Sequence, residues 1–313
     1  MLKIGIKKDK INLTKFKNSL VVYDETSKKY LKYLEFNACT SLKELENKKI
    51  SNFNILIAFG SGKLIDRVKF LAYKYKKEFI TIPISLSSDV FTSSTISLKF
   101  RKSVKSVFYK LPKKVFISLS IIKKAPKENL KAGFCDAIAK FVALEDWRIA
   151  NERIGEEINK KAFKFSEKCA KISYKNVEKI LERKNYKKLI EAFRFSGLAS
   201  FYAKSSRPIS GSEHNFSHSI DLFSKQKSLH GFQVGLGSII MRNLQMGYDD
   251  LDLRNMFEEY KIPKNYKEIK IDKNEIIKCF LLAKYVRKRY TILNTIRMTK
   301  SFATNFLDKI KVI

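Results

Sequence analysis

The chain has 313 residues, 44% of them hydrophobic, with only 11 Gly and 5 Pro; that excludes a linker or disordered tail and leaves room for two domains with real cores. Lys and Arg total 64 against 31 Asp and Glu, a formal charge of +33. The excess is spread along the whole chain in short pieces such as Arg183-Lys184 and Arg287-Lys288-Arg289. It travels with abundant Ile, Asn, Phe and Tyr, so it reads first as the codon usage of an AT-biased genome and only second as a nucleic-acid or anionic-membrane surface. No apolar run reaches bilayer length, and the start lacks the apolar segment of a signal peptide. Four scattered cysteines without a Cys-x-x-Cys pair (Cys39, Cys135, Cys169, Cys279) point to a reducing cytoplasm and away from a disulfide framework or a thiolate zinc site.

In chain order, Lys3–Ile6 and Ser19–Tyr23 read as strands, and residues 26–36 as an amphipathic helix with Thr26 or Ser27 as cap. The most legible unit follows. Asn54–Phe59 is a continuous apolar run, Gly60-Ser61-Gly62-Lys63 a turn, Leu64–Tyr75 a helical pattern and Phe79–Ile84 another apolar run; together they make a βαβ unit. Its turn aims free backbone N–H groups at the positive end of a helix dipole, where a pyrophosphate can approach, although a plain tight turn has the same signature. Residues 85–95 form a hydroxyl-rich loop at the carboxyl edge of the sheet, the side on which open α/β sheets bind ligands. Ser97–Phe100 and Val104–Tyr109 read as a hairpin, and Val115–Leu119 as a further strand. From Lys127 onward nearly everything has helical period. The expected architecture is an α/β Rossmann-like domain over residues 1–123 and an all-helical domain over 124–313.

Within the helical half, Leu130–Ala150 reads as one long helix with Asp136 in its apolar stretch. A carboxylate there needs a partner, either a neighbouring Lys or Arg or a metal. All three histidines lie close together: His214, His218 and His230. If residues 209–223 are helical, His214 and His218 share one face at i and i+4. Converging imidazoles plus a carboxylate suit zinc; three unrelated polar residues at helix ends are the alternative, and spacing alone does not separate the two.

The stretch Ser205-Ser206-Arg207-Pro208-x-Ser210-Gly211-Ser212-Glu213-His214-x-Phe216-Ser217-His218 resembles the signature of the archaeal glycerol-1-phosphate dehydrogenases. These belong to the dehydroquinate-synthase-like and iron-type alcohol dehydrogenase superfamily. Further pieces match in the same order from about residue 50 to the end: Gly60-x-Gly62-x-x-Ile65-Asp66-x-x-Lys69, Pro83-x-Ser85-x-Ser87-x-Asp89, Gly133-x-x-Asp136, Leu229-His230-Gly231-x-Gln233-x-Gly235 and Arg289-Tyr290-Thr291-Ile292-Leu293.

The resemblance implies that Asp136, His214 and His230 hold a zinc ion with one coordination position open, while His218 faces the substrate together with Asp89 and Asp136. It implies that Gly60, Ser61, Gly62, Lys63, Leu64, Ile65, Asp66, Ile84, Ser85, Leu86, Ser87 and Ser93 hold NAD or NADP. The reaction implied is NADH- or NADPH-dependent reduction of dihydroxyacetone phosphate to sn-glycerol 1-phosphate for archaeal membrane lipids, with Asp136 and His218 as the catalytic pair. It also implies a homo-oligomer, a dimer or larger, while the cysteine usage points to the cytoplasm and the diffuse charge weighs against a nucleic-acid partner. The chain departs from the family pattern at Ser61, Lys63, Val90, Ser118, Phe232 and Lys284, and the glycine that usually ends the first strand appears as Tyr23-Asp24. Two other readings stay open: a related metal-dependent polyol or sugar-phosphate dehydrogenase, and a catalytically decayed basic binding protein.

Overall fold

The computed structural model describes residues 2–47, 50–247 and 251–313; positions 248–250, inside the stretch read as helical, lie outside the described residues. The first half supplies the strands β1 Ile4–Lys7, β2 Ile11–Asn12, β3 Ser19–Tyr23, β4 Leu34–Glu35, β5 Cys39–Ser41, β6 Ile55–Gly60, β7 Glu78–Pro83, β8 Thr95–Lys99, β9 Val104–Phe108 and β10 Lys114–Ser118. Six of them form a parallel sheet in the order β1-β10-β7-β6-β3-β5. β6 shows why a continuous apolar run suits its centre. Leu56 and Ala58 enter one core while Ile57 and Phe59 enter the other, so both faces are covered.

The strand order reverses between β3 and β6. β3 continues to β5 on one side, and β6 continues through the helix Gly62–Lys74 to β7 on the other. The crevice outside the carboxyl ends of these two strands is where such sheets take a dinucleotide. Inside the helix, Lys69 is buried and its ammonium donates to the carbonyls of Thr95 (2.6 Å) and Val90 (3.1 Å), tying the loop after β7 to the helix. β8 and β9 form the expected antiparallel hairpin.

From Lys127 onward the chain is mostly helical, and among the described residues no helix is long and apolar enough to cross a membrane. One hydrophobic cluster runs through both halves, joining Leu86 and Phe91 to Phe134 and Phe193. The halves meet closely at Gly133, where an added Cβ would lie 1.7 Å from the Leu86 carbonyl oxygen. Gly133→Ala should therefore lower stability by about 1–3 kcal/mol or more, as overpacking does, seen in thermal denaturation; an unchanged midpoint would mean that the helix is free to back away.

Three expectations need correction. Residues 26–36 are not one helix: Glu25–Lys28 makes a single turn, Leu31–Tyr33 a 3-10 turn, and Leu34–Glu35 is drawn into β4. The cap is Asp24, in a reciprocal box with Ser27, and the parallel pairing of β4 with β2 removes the last residues from any helix. The long helix expected over 130–150 is two, Lys127–Ile138 and Lys140–Ile154, stepping at Ala139. At that step the Lys140 ammonium donates to the Asp136 carbonyl (2.7 Å), a side chain inserted at the helical ladder. The helix expected over 209–223 begins at Ser212, after a 3-10 turn at Arg207–Ile209.

Candidate metal and substrate site

Three helices bring the site together. Lys127–Ile138 carries Asp136, Ser212–Phe223 carries His214 and His218 one turn apart, and the last helix begins at His230 and runs to Met246. Gly231 permits the closest approach. An added Cβ there would lie 2.0 Å from the Ala132 carbonyl oxygen, so this glycine lets His230 come up beside Asp136. Asp136, His214 and His230 each present a ligand atom, and these atoms lie within 4.8 Å of one another. His214 Nε2 is 3.3 Å from Asp136 Oδ1. The His218 ring centroid stands 6.3 Å from those of both His214 and His230, and 5.3 Å separates the latter two. His218 is thus a neighbour of the triad and not one of its members.

The groups behind the triad orient it. His214 Nδ1 is 2.6 Å from Glu213 Oε1. His230 Nδ1 is 3.0 Å from Ser217 Oγ, which itself donates to Gln233 Oε1 (2.7 Å). With the Ser217 proton committed to Gln233, its oxygen accepts from His230 Nδ1–H. With Nδ1 taken up by Glu213 and by Ser217, each imidazole keeps Nε2 as the nitrogen that can ligate a metal once any proton on it leaves, the arrangement metal-ligating histidines adopt. Two imidazole nitrogens and a carboxylate make a donor set that fits zinc with a position left open.

Asp136 has the lysine partner that its sequence context allows, alongside the ligand atoms of the triad. Lys140 Nζ reaches Asp136 Oδ1 (2.9 Å) and Asp89 Oδ2 (3.1 Å), and the Asp89 backbone N–H donates to Asp136 Oδ2 (2.8 Å). Ser196 Oγ also donates to Asp89 Oδ2. Burial alone would lower the Lys140 ammonium, but the Asp136 and Asp89 charges hold its pKa above the ordinary lysine value. Burial would raise Asp136, but Lys140 and then His214 hold it below the usual carboxylate range. For His214, burial is outweighed by hydrogen bonds to Asp136 and Glu213, which hold the imidazole above its ordinary value. Burial and the His214 charge push His230 down to about 4. Burial, then Arg287, lowers His218 well below the usual range, and its Nδ1 is buried without a partner.

On the other side of the cleft, Ser61 caps the helix Gly62–Lys74 without using its side chain on the helix N–H groups. Its hydroxyl lies 3.4 Å from Asp24 Oδ2 across the β3–β6 crevice, and Lys63 is exposed on the first turn. Leu64, Ile65 and Leu86 point into the core and Ile84 into the second core, so only their backbone faces a ligand. Ser85 and Ser87 pair at 3.2 Å, Ser93 pairs with Thr95 at 2.9 Å, and Asp66 is 3.3 Å from Lys69. Val90 fills the space beside Gly62, its Cγ1 3.3 Å from where a Cβ would stand.

Lys140, Glu213, Ser217, Gln233 and Ser196 are participants that the sequence did not single out. Lys140 had a legible signal, a lysine at i+4 from a carboxylate on a helix. Glu213, Ser217 and Gln233 lay within quoted motifs, but their partners are set by folding. Ser196 carried no signal.

A family model described as "Iron-containing alcohol dehydrogenase" matches residues 12–126. The chain is 34% identical to the NAD(P)+ glycerol-1-phosphate dehydrogenase of Methanococcus aeolicus, covering 97% of this chain and 93% of that protein. It is 31% identical to the enzyme of the same name from Nitrosopumilus maritimus, covering 88% and 78%. Among solved structures, a probable glycerol dehydrogenase from Sinorhizobium meliloti superposes with a TM-score of 0.78 at 15% identity, covering 98% of this chain and 96% of that one. The glycerol dehydrogenase of Schizosaccharomyces pombe gives 0.73 at 19% identity, covering 93% and 82%. The structural neighbours carry the fold, and the relatives carry the family across almost the whole chain: this protein belongs to the NAD(P)-dependent glycerol-1-phosphate dehydrogenases.

Proposed function

We propose that the protein reduces dihydroxyacetone phosphate to sn-glycerol 1-phosphate with zinc at Asp136, His214 and His230. The observation that carries this reading is the convergence of those three ligand atoms with His218 beside them. Zinc held there would supply a Lewis acid for the C2 carbonyl, and a reduced nicotinamide dinucleotide bound by the Gly60–Asp66 turn and the Ile84–Ser93 loop would supply the hydride. The chain's own residues do the rest. Glu213 and Ser217 hold the two imidazoles in the tautomer that presents Nε2. Lys140 and the Asp89 N–H fix the Asp136 carboxylate, and Asp89 lines the substrate's side. His218, held neutral, relays a proton to the C2 oxygen as the C2–H bond forms, giving one from one ring nitrogen and taking a replacement from water at the other. On this reading residues 1–123 bind the dinucleotide and 124–313 the metal and substrate, in a cytoplasmic dimer or larger assembly.

The test is oxidation of NADH and NADPH by the purified protein with dihydroxyacetone phosphate, before and after EDTA. Turnover abolished by EDTA and restored by zinc is the expected result. Turnover indifferent to EDTA would overturn the metal, and turnover only with an unphosphorylated ketone such as dihydroxyacetone would overturn the substrate. A pH effect accompanies it. Where His214 is charged, zinc must displace the proton that Asp136 and Glu213 favour there, so apparent affinity should fall about tenfold per pH unit below the His214 pKa and level off above it. Calorimetric zinc titrations across pH read this directly; an affinity that does not fall as the pH is lowered would remove the His214 assignment.

A further inference from the structure

The segment before and after Tyr290, part of the family resemblance, has no role in the site described so far. It brings two arginines to the entry of the helix Ser212–Phe223, where Arg207 also lies. Arg287 Nε and Nη2 donate to Asn215 Oδ1 (3.1 and 2.9 Å), and Nη2 also donates to Ser210 Oγ (2.9 Å). Arg289 donates to the Ser206 hydroxyl (3.0 Å) and to the Ser210 carbonyl. Arg207 pairs with Glu156 through Nε (2.8 Å) and donates through Nη2 to the carbonyls of Asp146 and Tyr290. We propose that Arg287 and Arg289, with Arg207 behind them, are the subsite for the phosphomonoester of the substrate. The proposal rests on the reading of the reaction given above.

Three observations support it. First, two buried donors beside Arg287 and Arg289 are unpaired. Arg207 is 4% exposed, yet its Nη1 is buried without a partner, and so is Asn215 Nδ2. A buried donor left open is costly unless something fills it. Second, most of the nearby acidic oxygens are engaged elsewhere: Glu213 Oε1 with His214 and the Gly211 N–H, Asp146 with the N–H groups of Ser212 and Ile292, leaving Glu213 Oε2 without a partner. Neither Arg287 nor Arg289 forms a salt bridge among the described residues, and burial with the neighbouring Arg287 and Arg207 charges lowers Arg289 well below the ordinary guanidinium range. Planar guanidinium forks suit a phosphate carrying nearly two charges.

Third, the place is right. At 100° per residue, Gly211 and Asn215 lie on the flank next to the face that carries His214 and His218, and Arg287 bridges that flank. After burial, Arg287 is the leading influence on His218, which puts the two side chains in each other's field. The phosphorus of the substrate is only three covalent bonds from the carbonyl carbon, so its site must lie close to whatever holds the carbonyl, and the helix that carries His214 and His218 also carries Asn215, the partner of Arg287. The β8–β9 hairpin closes the cluster from the other half of the molecule, with the Val104 N–H on the Val286 carbonyl (2.8 Å) and Ser206 Oγ on Ser106 Oγ (2.9 Å).

The experiment uses the full-length zinc-loaded protein and its Arg287→Gln, Arg289→Gln and Arg289→Lys variants, with thermal midpoints checking that each is folded. Inorganic phosphate is the calorimetric probe, NADH binding is followed by fluorescence, and dihydroxyacetone phosphate is compared with free dihydroxyacetone in turnover. Each glutamine variant should weaken phosphate binding and raise KM for the phosphorylated substrate by about 10–100-fold, as loss of a charge-assisted hydrogen bond does. The preference over dihydroxyacetone should fall by the same factor, NADH binding should hold, and lysine should recover part of the loss. Phosphate binding that survives both glutamine variants would overturn the subsite. Weakened NADH binding with substrate KM unmoved would assign the anion site to the cofactor and also overturn it. Arginine-dependent phosphate binding in a protein that cannot turn over dihydroxyacetone phosphate would instead overturn the reaction and leave an anion site for another phosphomonoester.

Discussion

His230→Ala should remove stoichiometric zinc and lower turnover with dihydroxyacetone phosphate on the order of a thousandfold or more, well beyond the 10–100-fold typical of an outer-shell change. The substitution is clean for a structural reason. His230 stands at the first position of its helix and its Nδ1 contacts only Ser217, so its loss removes a donor without leaving a buried charge unpaired. Ser217→Ala supplies the graded comparison: it keeps all three ligands but frees the His230 ring, so zinc affinity should fall by about 10–100-fold. Metal content and turnover measured on both variants decide the assignment. Full zinc occupancy and normal turnover in His230→Ala would remove His230 from the ligand set.

The second large effect is on stability. Lys140 is completely buried and is the ammonium shared by Asp136 and Asp89. Lys140→Met keeps most of the volume but strands two carboxylates, so the metal-free protein should lose about 3–5 kcal/mol, a fall in thermal midpoint on the order of 10 °C. Zinc restores a positive charge beside Asp136. The zinc-induced rise in midpoint should therefore be larger in Lys140→Met than in the parent, because removing the ammonium that competes for Asp136 tightens zinc binding, and stabilisation by a ligand grows with its affinity. Midpoints with and without zinc for both proteins give the answer. A metal-free variant as stable as the parent would show that Asp89 and Asp136 do not depend on this lysine.

Local patterns were readable where they concerned near neighbours. The apolar run, glycine turn and helical period of 54–84 specify a βαβ unit because each piece has its own periodicity and length. The helix of His214 and His218 was legible for the same reason, apart from its first residues. The stretch 26–36 misled because its helical period competes with a strand pairing to Ile11–Asn12, which only the folded sheet supplies. The long helix at 130–150 misled because Lys140 turns back onto the Asp136 carbonyl, drawn inward by Asp89 from the other half of the chain.

By itself, the sequence determined the order of the two architectures, the family, and the four polar residues from which a site could be made. Spacing alone left open which of three histidines stand with Asp136, since i and i+4 fits His214 and His218 equally well; the resemblance implied His214 and His230, and the tertiary structure brings those two to Asp136 and sets His218 aside. That choice depends on where the helix beginning at His230 packs, and the packing depends on Gly231 meeting the Ala132 carbonyl without a side chain between them. The partners of Asp136 were decided in the same way: Asp89 comes from a loop 47 residues away in the chain, and a buried charge is satisfied by whatever the fold places beside it.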